Sequence, residues 1–182
     1  MQCAWIYDTT PEMKAYHDDE WGKEKHDDCQ LFEFLALEIL QAGLSWQIVL
    51  AKRPALRTAF ANFDVQKVAQ MDEMQIQELL NNPNIIRNRR KIEAIINNAK
   101  LVVKLKRQGH SLDELVWNYV DYQPLNNHWK YPEEIPNQTK LSSQIAKDFK
   151  KLGFSFLGPT IVYSFLQAVG VVNDHLEGCS CK

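Results

Sequence analysis

The 182-residue sequence predicts an all-α fold. Hydrophobic residues recur at helical spacing in most segments, whereas alternating apolar runs typical of strands are scarce. Seven Gly and seven Pro are too few to divide the chain into short strands and turns. There is no internal repeat and no low-complexity segment. We therefore expect one globular unit of about eight or nine helices.

The first two predicted helices lie in an apolar part of the N-terminal half. The run LFEFLALEILQA (31–42) predicts a buried helix that Asp27 or Asp28 caps. The run WQIVLAKR (46–53) predicts a second helix. We expect Pro54 to interrupt this second helix, because proline lacks the N–H that a helical residue donates.

Two short helices and one long helix follow. Asp64 stands before VQKVAQM and Asp72 stands before EMQIQELL, where each is suited to cap a helix. The segment 91–107 predicts a longer helix that faces the core. Its apolar residues form one stripe, which consists of Ile92, Ile95, Ile96, Ala99, Val102 and Val103.

The C-terminal third combines a long loop with two further helices. Ser111 is suited to cap LDELVWNYV, and residues 121–140, with three prolines, predict an irregular segment. Helices resume over 142–152 and 160–169. Each is followed directly by a glycine, the residue that most often ends a helix.

Acidic and basic residues are unevenly distributed along the chain. Residues 1–38 contain ten Asp or Glu and three Lys, whereas residues 87–107 contain eight Lys or Arg and one Glu. Such a basic segment either binds an anion such as nucleic acid or forms the solvated face of a helix. The net charge of −2 does not decide between them.

The sequence lacks the features of a secreted or membrane protein. No apolar run is long enough to span a bilayer, and no segment resembles a signal peptide. We therefore expect a cytoplasmic protein. In a reducing compartment the cysteines are expected to bind metal or to be buried rather than to form disulfides; they are Cys3, Cys29, Cys179 and Cys181.

The segment NPNIIRNRRKI (82–92) predicts a hairpin between two helices. Pro83 and Asn84 suit a tight turn, because Asn tolerates a left-handed backbone. Four cations then stand at the start of a helix, where they oppose the helix dipole and favour an anion: Arg87, Arg89, Arg90 and Lys91. The alternative is a surface cluster neutralised by nearby acids such as Asp72, Glu73 or Glu78.

Glu38 is an acidic residue on an apolar helix face. Its neighbours on the helix are Phe34, Leu35, Leu37 and Leu40. Burying a carboxylate there is costly without a partner. Tyr16 and Trp21 precede it and Trp46 follows it, so carboxylate and rings together suit a pocket for a flat, cationic heterocycle. The alternative is a core Glu paired with an Arg, with the Trp residues as packing.

Metal-binding side chains stand at both ends of the chain. His175 and Cys179 are four residues apart, so both can face one point on a helical turn. A tetrahedral zinc site needs two more ligands. The candidates are Cys3, His17, His26, Cys29, His110, His128 and Cys181. Adding Cys3 and His17 would tie the two ends together in a structural Cys2His2 site, although the spacing is not that of a zinc finger.

Five stretches carry a resemblance to a known family. They are CAWIYD, AYHDDEWG, LFEFLALEILQAGLSW, NIIRNRRKI and GFSFLGPTIVYSFLQAVGVVNDHLEGC, which together run from residue 3 to 179. With these stretches the chain closely resembles the constitutive 3-methyladenine DNA glycosylases of the helix-hairpin-helix superfamily. The resemblance implies a helix-hairpin-helix glycosylase-like bundle in which a zinc clasp joins the N- and C-terminal segments.

The resemblance also implies an activity. The expected enzyme is a monofunctional base excision repair glycosylase that flips 3-methyladenine from double-stranded DNA and hydrolyses its N-glycosidic bond. We expect a monomer without membrane contact. Its single unit (1–182) would have a helical hairpin lobe (40–120) and a zinc-tethered lobe (1–39 plus 121–182).

Family roles carry over to matching positions only. The implied ligands of one structural zinc ion are Cys3, His17, His175 and Cys179. Glu38 is implied as the catalytic, base-recognising carboxylate. The implied base-binding rings are Tyr16 and Trp46, with Trp5 and Trp21 nearby. The implied DNA contacts are a gap-probing loop with Gln41, Gly43 and Leu44, and a hairpin with Arg87, Arg89, Arg90 and Lys91.

The sequence departs from the family pattern at two positions. Asn84 replaces a common hairpin Gly, and Met13 replaces a pocket Tyr of some relatives. Residues 91–107 contain no Asp, and the four-Cys pattern of an iron–sulfur cluster is absent, so an endonuclease III-like lyase is disfavoured. Two rival classes remain, a non-enzymatic reader of alkylated DNA and a zinc hydrolase.

Overall fold

Nine α-helices account for most of residues 3–182, the part of the chain that the computed structural model describes. The all-α prediction is confirmed. The helices are α1 (Pro11–Asp19), α2 (Asp28–Gln41), α3 (Trp46–Ala59), α4 (Val65–Ala69), α5 (Glu73–Asn81), α6 (Arg89–Arg107), α7 (Leu112–Trp117), α8 (Lys140–Leu152) and α9 (Pro159–Ala168).

Extended structure is limited to one short pair. Strand β1 (Leu125–Asn126) runs parallel to β2 (Val172–Asn173), with Leu125 opposite Val172. Apart from β1 and a short 3-10 helix (Pro132–Glu134), residues 121–139 are irregular, close to the predicted loop. The pairing fixes this loop against the C-terminal segment.

The predicted helix caps are present. The side chains of Asp27, Asp64, Asp72 and Ser111 each accept a hydrogen bond from a backbone N–H in the first turn of the helix that follows. All six residues of the predicted apolar stripe on α6 are buried. Caps and stripes depend on residues close in sequence, which is why they are readable before folding.

Two features of the helices differ from the prediction. Helix α1 was not expected, although Thr10 caps it and Pro11 occupies its first turn, a recognised start signal. Helix α3 continues through Pro54. Pro54 is exposed, and the buried residues Val49, Leu50 and Leu56 pack the helix on both sides of it, so packing outweighs the missing N–H.

Helix α2 is the centre of the fold. Its residues 31–40 are all buried, and it packs against α3, α6, α7 and α9. This position explains why α2 has apolar residues all round its circumference, with Glu33 and Glu38 as the acids among its buried residues. These contacts cross the expected lobe boundary at residue 40, and the division into two lobes stays a prediction. In the described part of the chain no helix is both long and apolar enough to cross a membrane.

Candidate active site and metal cluster

A cavity opens between the N-terminal segment, α2, α3 and α9. Its volume of about 180 Å³ is similar to the roughly 150 Å³ that admits a benzene molecule, so it suits one small flat ring system. The lining residues are Trp5, Met13, Tyr16, Trp21, Glu38, Gln41, Trp46, Ser164 and Gln167. The structure thus brings together the predicted carboxylate and all four predicted rings.

Glu38 projects from the centre of α2 into this cavity. Only 4% of its surface is exposed, and within residues 3–182 its carboxyl group has no hydrogen bond or ion pair. Burial alone raises the pKa of Glu38 to about 8. The raised pKa favours the neutral form of the carboxyl group, which can both donate and accept a hydrogen bond.

Among the described residues Glu38 forms no ion pair with an arginine, contrary to the alternative interpretation of a core Glu paired with an Arg. The buried Arg53 donates from Nε to Glu33 at 2.7 Å and from Nη1 to Glu20 at 2.8 Å. Arg57 binds Glu33 as well, with an Nε–Oε1 distance of 2.7 Å. Glu33 and Glu38 lie on the same helix, but only Glu33 has cationic partners. A buried carboxyl without partners is typical of a group that meets a ligand.

The aromatic rings around Glu38 lie tilted or edge to face. The Tyr16 and Trp46 centroids are 5.1 Å apart at 53°, and those of Trp5 and Trp21 are 5.2 Å apart at 84°. Burial, and secondarily the nearby Glu38, raises the pKa of the Tyr16 hydroxyl well above its ordinary value. The Trp46 indole Nε1 is a buried donor without a partner among the described residues. The cavity therefore offers ring surfaces together with unused polar groups.

The loop after α2 closes in a tight turn. Leu44 N donates to Gln41 O at 2.7 Å, and Gln41 Nε2 donates to Leu44 O at 3.0 Å. Gly43 is exposed at a φ of +78°, a conformation that glycine adopts without strain. These contacts fix the loop, of which Gln41 lines the cavity.

Lys91 has a different role from the predicted one. Its side chain is buried, and its Nζ donates to Leu40 O at 2.8 Å and to Ala42 O at 2.6 Å. These carbonyls at the end of α2 lack intrahelical partners, and the ammonium group satisfies them. Its assignment as a phosphate ligand on the surface is thus corrected. Lys91 instead binds the backbone at the end of α2 and so stabilises the loop that follows.

The basic hairpin lies between α5 and α6. Asn84 has a negative φ, contrary to the left-handed turn expected, so the exchange of the family Gly for Asn costs no backbone strain. Its N–H donates to Asn82 Oδ1 at 3.0 Å, and Lys52 Nζ donates to Asn84 O at 3.0 Å. These contacts fix the turn without a glycine.

The cations of the hairpin fall into two groups. Arg89 donates to Glu73 at 2.9 Å and to Glu93 at 3.1 Å. This agrees with the alternative interpretation, in which nearby acids neutralise the cations. Arg87 and Arg90 are exposed, and neither has an ion pair or side-chain hydrogen bond with any residue of the described chain. Only these two of the four predicted cations are unpaired on the surface.

The chain ends meet in a buried Cys/His cluster. One ligand atom from each of Cys3, His17, His175 and Cys179 lies within 4.8 Å of the others. The Sγ–N distances are 3.7 Å (Cys3–His175), 3.6 Å (Cys179–His175) and 3.6 Å (Cys179–His17). Zn–S and Zn–N bonds of ordinary length at a tetrahedral angle separate S from N by about 3.6 Å. This group can hold a metal ion.

Both histidines are oriented for this role. His17 Nδ1 lies 2.6 Å from Asp18 Oδ1, and His175 Nε2 lies 3.1 Å from Trp21 O. Each second nitrogen can thus donate its proton to an oxygen, which directs the lone pair of the other nitrogen into the cluster. Burial lowers the pKa of His175, which favours its neutral, ligating form. His175 and Cys179 meet through a turn rather than the expected helical turn.

The Cys/His cluster and the cavity share a wall. The Trp5 ring lies 5.2 Å from His17 and the Trp21 ring lies 4.6 Å from His175, and both tryptophans line the cavity. Cys181 lies beside the cluster, with Sγ 3.4 Å from Asp18 Oδ1. The cluster therefore packs against Trp5 and Trp21, the two rings that form this wall of the cavity.

Ser164 and Gln167 line the cavity but are not among the predicted site residues. Both lie on α9, an otherwise apolar helix. Polar residues within such a helix are a signal of a polar partner or a ligand, as for Glu38, and this signal could have found them. Gln167 also binds the buried Asp174, through Nε2 at 2.7 Å.

Comparison with known proteins agrees with this geometry. Residues 5–182 match the model of the methyladenine glycosylase family. The chain is 44% identical to DNA-3-methyladenine glycosylase 1 of Escherichia coli, over 99% of this chain and 96% of that protein. A crystal structure of 3-methyladenine DNA glycosylase I has a TM-score of 0.96 at 45% identity, covering 100% of this chain and 99% of the other.

A structure with a bound base is also similar. A variant of 3-methyladenine DNA glycosylase I in complex with 3-methyladenine has a TM-score of 0.95 at 38% identity. The match covers 100% of this chain and 97% of that one.

Proposed function

The chain belongs to the methyladenine glycosylase family, and we propose that it excises 3-methyladenine from alkylated double-stranded DNA in base excision repair. The reaction is hydrolysis of the N-glycosidic bond by a monofunctional glycosylase. The observation that carries the proposal is Glu38, a buried carboxyl group without a partner among residues 3–182, in a ring-lined cavity of the size of one base. The similar structure with bound 3-methyladenine supports the same assignment.

The chemistry of the substrate limits what the protein has to supply. Methylation at N3 makes the adenine of a nucleotide cationic and weakens its bond to the sugar. The base leaves in neutral form, so a strong general acid is not required. The main work is to flip the nucleotide out of the duplex, at a cost of a few kcal/mol, and to hold the base while water attacks the sugar.

Glu38 and the rings would hold the flipped base. Tyr16 and Trp46 contribute ring faces for stacking, with Trp5 and Trp21 completing the wall. Glu38 exchanges hydrogen bonds with the edge of the base. Burial raises the pKa of Glu38, and a cationic base beside it would lower that pKa again, so the carboxyl group can meet the base as a hydrogen-bond donor or as a carboxylate.

The DNA contacts would come from two surfaces. Gln41 lines the cavity, and the loop that it forms with Gly43 and Leu44 would fill the gap left by the flipped base. Arg87 and Arg90 are exposed beside the start of α6 and can bind phosphate oxygens. Phosphate contacts of this kind position the duplex without reading its sequence.

The Cys/His cluster would hold one structural zinc ion. The proposed ligands are Cys3, His17, His175 and Cys179, whose donor set and spacing fit tetrahedral zinc. Zinc supplies a cross-link between the chain ends. Four protein ligands leave no position for a reacting water, which argues against a zinc hydrolase.

We include a cytoplasmic location and a monomeric state in the proposal. None of the four cysteines forms a disulfide, which fits a reducing compartment. The monomeric state follows only from the resemblance, and size-exclusion chromatography with light scattering measures it directly.

Incubation with methylated duplex DNA, with separate measurement of DNA binding and of released base, tests the proposal. A glycosylase releases free 3-methyladenine and leaves abasic sites in equal number. A non-enzymatic reader binds the DNA but releases no base. In a zinc hydrolase, chelation abolishes the activity before it unfolds the protein. The second and third results would contradict the proposed function.

A further inference from the structure

Asp174 is a buried carboxylate that is fully hydrogen-bonded by neutral donors. None of its surface is exposed. One oxygen accepts from Asn127 Nδ2 and from Trp129 Nε1, each at 2.7 Å. The other accepts from Tyr163 Oη at 2.5 Å and from Gln167 Nε2 at 2.7 Å. Four donors occupy the acceptor positions that an ionised carboxylate offers.

This arrangement fixes the orientation of the Gln167 amide. Because donors surround both oxygens of Asp174, the oxygen beside Gln167 accepts from the NH2 group of the amide and is not a donor to its carbonyl oxygen. The opposite orientation would place two oxygens in contact. Asp174 therefore determines that the Gln167 oxygen, Oε1, is the polar atom left for other contacts.

The Gln167 oxygen has no hydrogen-bond partner among the described residues. Gln167 lines the cavity together with Glu38, and Oε1 has no hydrogen bond to any residue from 3 to 182. Oε1 is also not a fully buried atom. An acceptor that is held in place, accessible and unpaired in a ligand cavity is available to a donor on the ligand.

We propose that Gln167, oriented by Asp174, is a specificity-determining residue whose amide oxygen selects bases with an exocyclic amine. This inference rests on the proposed function and specifies its substrate class. Adenine carries an N–H donor at position 6, whereas guanine and hypoxanthine carry a carbonyl acceptor there. A carbonyl facing Oε1 leaves two acceptors unpaired, which a desolvated cavity penalises strongly.

Binding of two free bases, one with an amine and one with a carbonyl at position 6, tests the inference. Because the carbonyl base also carries a ring N–H that 3-methyladenine lacks, the role of Gln167 is measured as the change in preference when Gln167 is replaced. Tryptophan fluorescence gives the Kd values of 3-methyladenine and 3-methylhypoxanthine for the native chain and for Gln167→Met, which removes the amide at similar volume. We expect the native chain to prefer 3-methyladenine at least about tenfold. Gln167→Met should reduce this preference about tenfold or abolish it.

Two further variants separate orientation from packing. Asp174→Asn allows the amide to turn its NH2 group into the cavity, so 3-methylhypoxanthine should bind better while 3-methyladenine binds worse. Tyr163→Phe removes a donor from the same Asp174 oxygen but leaves the Gln167 contact, so the preference should persist. Zinc content and Tm show whether each variant is folded, and Gln167→Met decides the question if Asp174→Asn does not fold.

The outcomes distinguish the inference from the function on which it depends. A native chain that releases 3-methyladenine from DNA, with a preference that Gln167→Met leaves unchanged, overturns the role of Gln167 alone. A native chain without preference between the two bases overturns it as well. A native chain that releases no base overturns the proposed function.

Discussion

The cavity and the joined chain ends use buried polar groups in opposite ways. At the chain ends, Asp174 has four donors, and both histidines of the cluster have an oxygen partner for the second nitrogen. In the cavity, Glu38 and the Trp46 indole N–H have no hydrogen-bond partner within the described chain. The two regions nevertheless share Trp5 and Trp21 as a wall.

This difference indicates that the polar groups at the chain ends support the fold, whereas those in the cavity are suited to bind a ligand. A satisfied polar network holds one geometry, whereas an unsatisfied one costs folding free energy until a ligand supplies the missing partners. The cluster and Asp174 are thus expected to affect stability first and activity second. Glu38 is expected to do the reverse, and its removal should even stabilise the fold.

Loss of the metal cluster should have the largest effect on stability. Cys179→Ser removes one of four ligands, so we expect loss of the zinc, about one ion per chain, and a Tm lower by roughly 10 °C or more. Elemental analysis and calorimetry measure both quantities. Cys181→Ser is the matched control, because Cys181 lies beside the cluster but outside the four ligands. A metal-free native protein of unchanged Tm would contradict the proposed zinc site.

Glu38→Gln should stabilise the protein at neutral pH. The pKa of Glu38 is about 8 in the folded state and lower in the unfolded state. Glu38 therefore lowers the free energy of unfolding by an amount that is near zero below about pH 4.5 and grows until about pH 8. Gln keeps the shape without the ionisation, so we expect a gain of roughly 3 kcal/mol at pH 7 and almost none at pH 4.5. Urea unfolding at both pH values measures this difference.

Glu33→Gln is the matched control on the same helix. Burial pulls the pKa of Glu33 upward, but hydrogen bonds from Arg57 and Arg53 outweigh burial, and the net shift is downward. Glu33 therefore stabilises the fold above its unfolded pKa and loses this contribution as the pH falls through its folded pKa. We expect Glu33→Gln to destabilise the protein by about 2 kcal/mol or more at pH 7. If Glu38→Gln and Glu33→Gln changed the free energy of unfolding in the same direction, the contrast between the two residues would be refuted.

The basic hairpin should show a smaller effect, on DNA binding only. Arg87→Ala and Arg90→Ala each remove one unpaired cation, so each should weaken DNA binding several-fold and reduce the salt-dependence slope by about one unit. Arg89→Ala should change that slope less, because Glu73 and Glu93 already neutralise Arg89. Fluorescence anisotropy at several salt concentrations measures all three. If Arg89→Ala lost more DNA affinity than Arg87→Ala and Arg90→Ala, the assignment of Arg87 and Arg90 as the phosphate ligands would be wrong.

What the sequence predicted correctly depends on residues close together in the chain. Asp64, Asp72 and Ser111 cap helices that begin at the next residue, and the α6 stripe has a helical period. The helix α1 was readable in the same way, from Thr10 and Pro11. Pro54 was misleading because packing of α3 against the core outweighs the local preference of one residue.

The site was only partly readable for the same reason. Its rings and Glu38 are unusual residue types for their surroundings, so they are visible in the sequence. The role of Lys91 depends on the end of α2 meeting the start of α6, some 50 residues apart in the chain. The Gln167–Asp174 contact depends on the turn after α9. Contacts of this kind exist only once the fold is formed.

Single-turnover release of base from duplex DNA containing 3-methyladenine tests the central assignment most directly. The measurement compares the native chain with Glu38→Ala, after zinc content and Tm have shown that both are folded. We expect the native chain to release free 3-methyladenine, and Glu38→Ala to do so at least about 100-fold more slowly. Undiminished release by a folded Glu38→Ala would contradict the account.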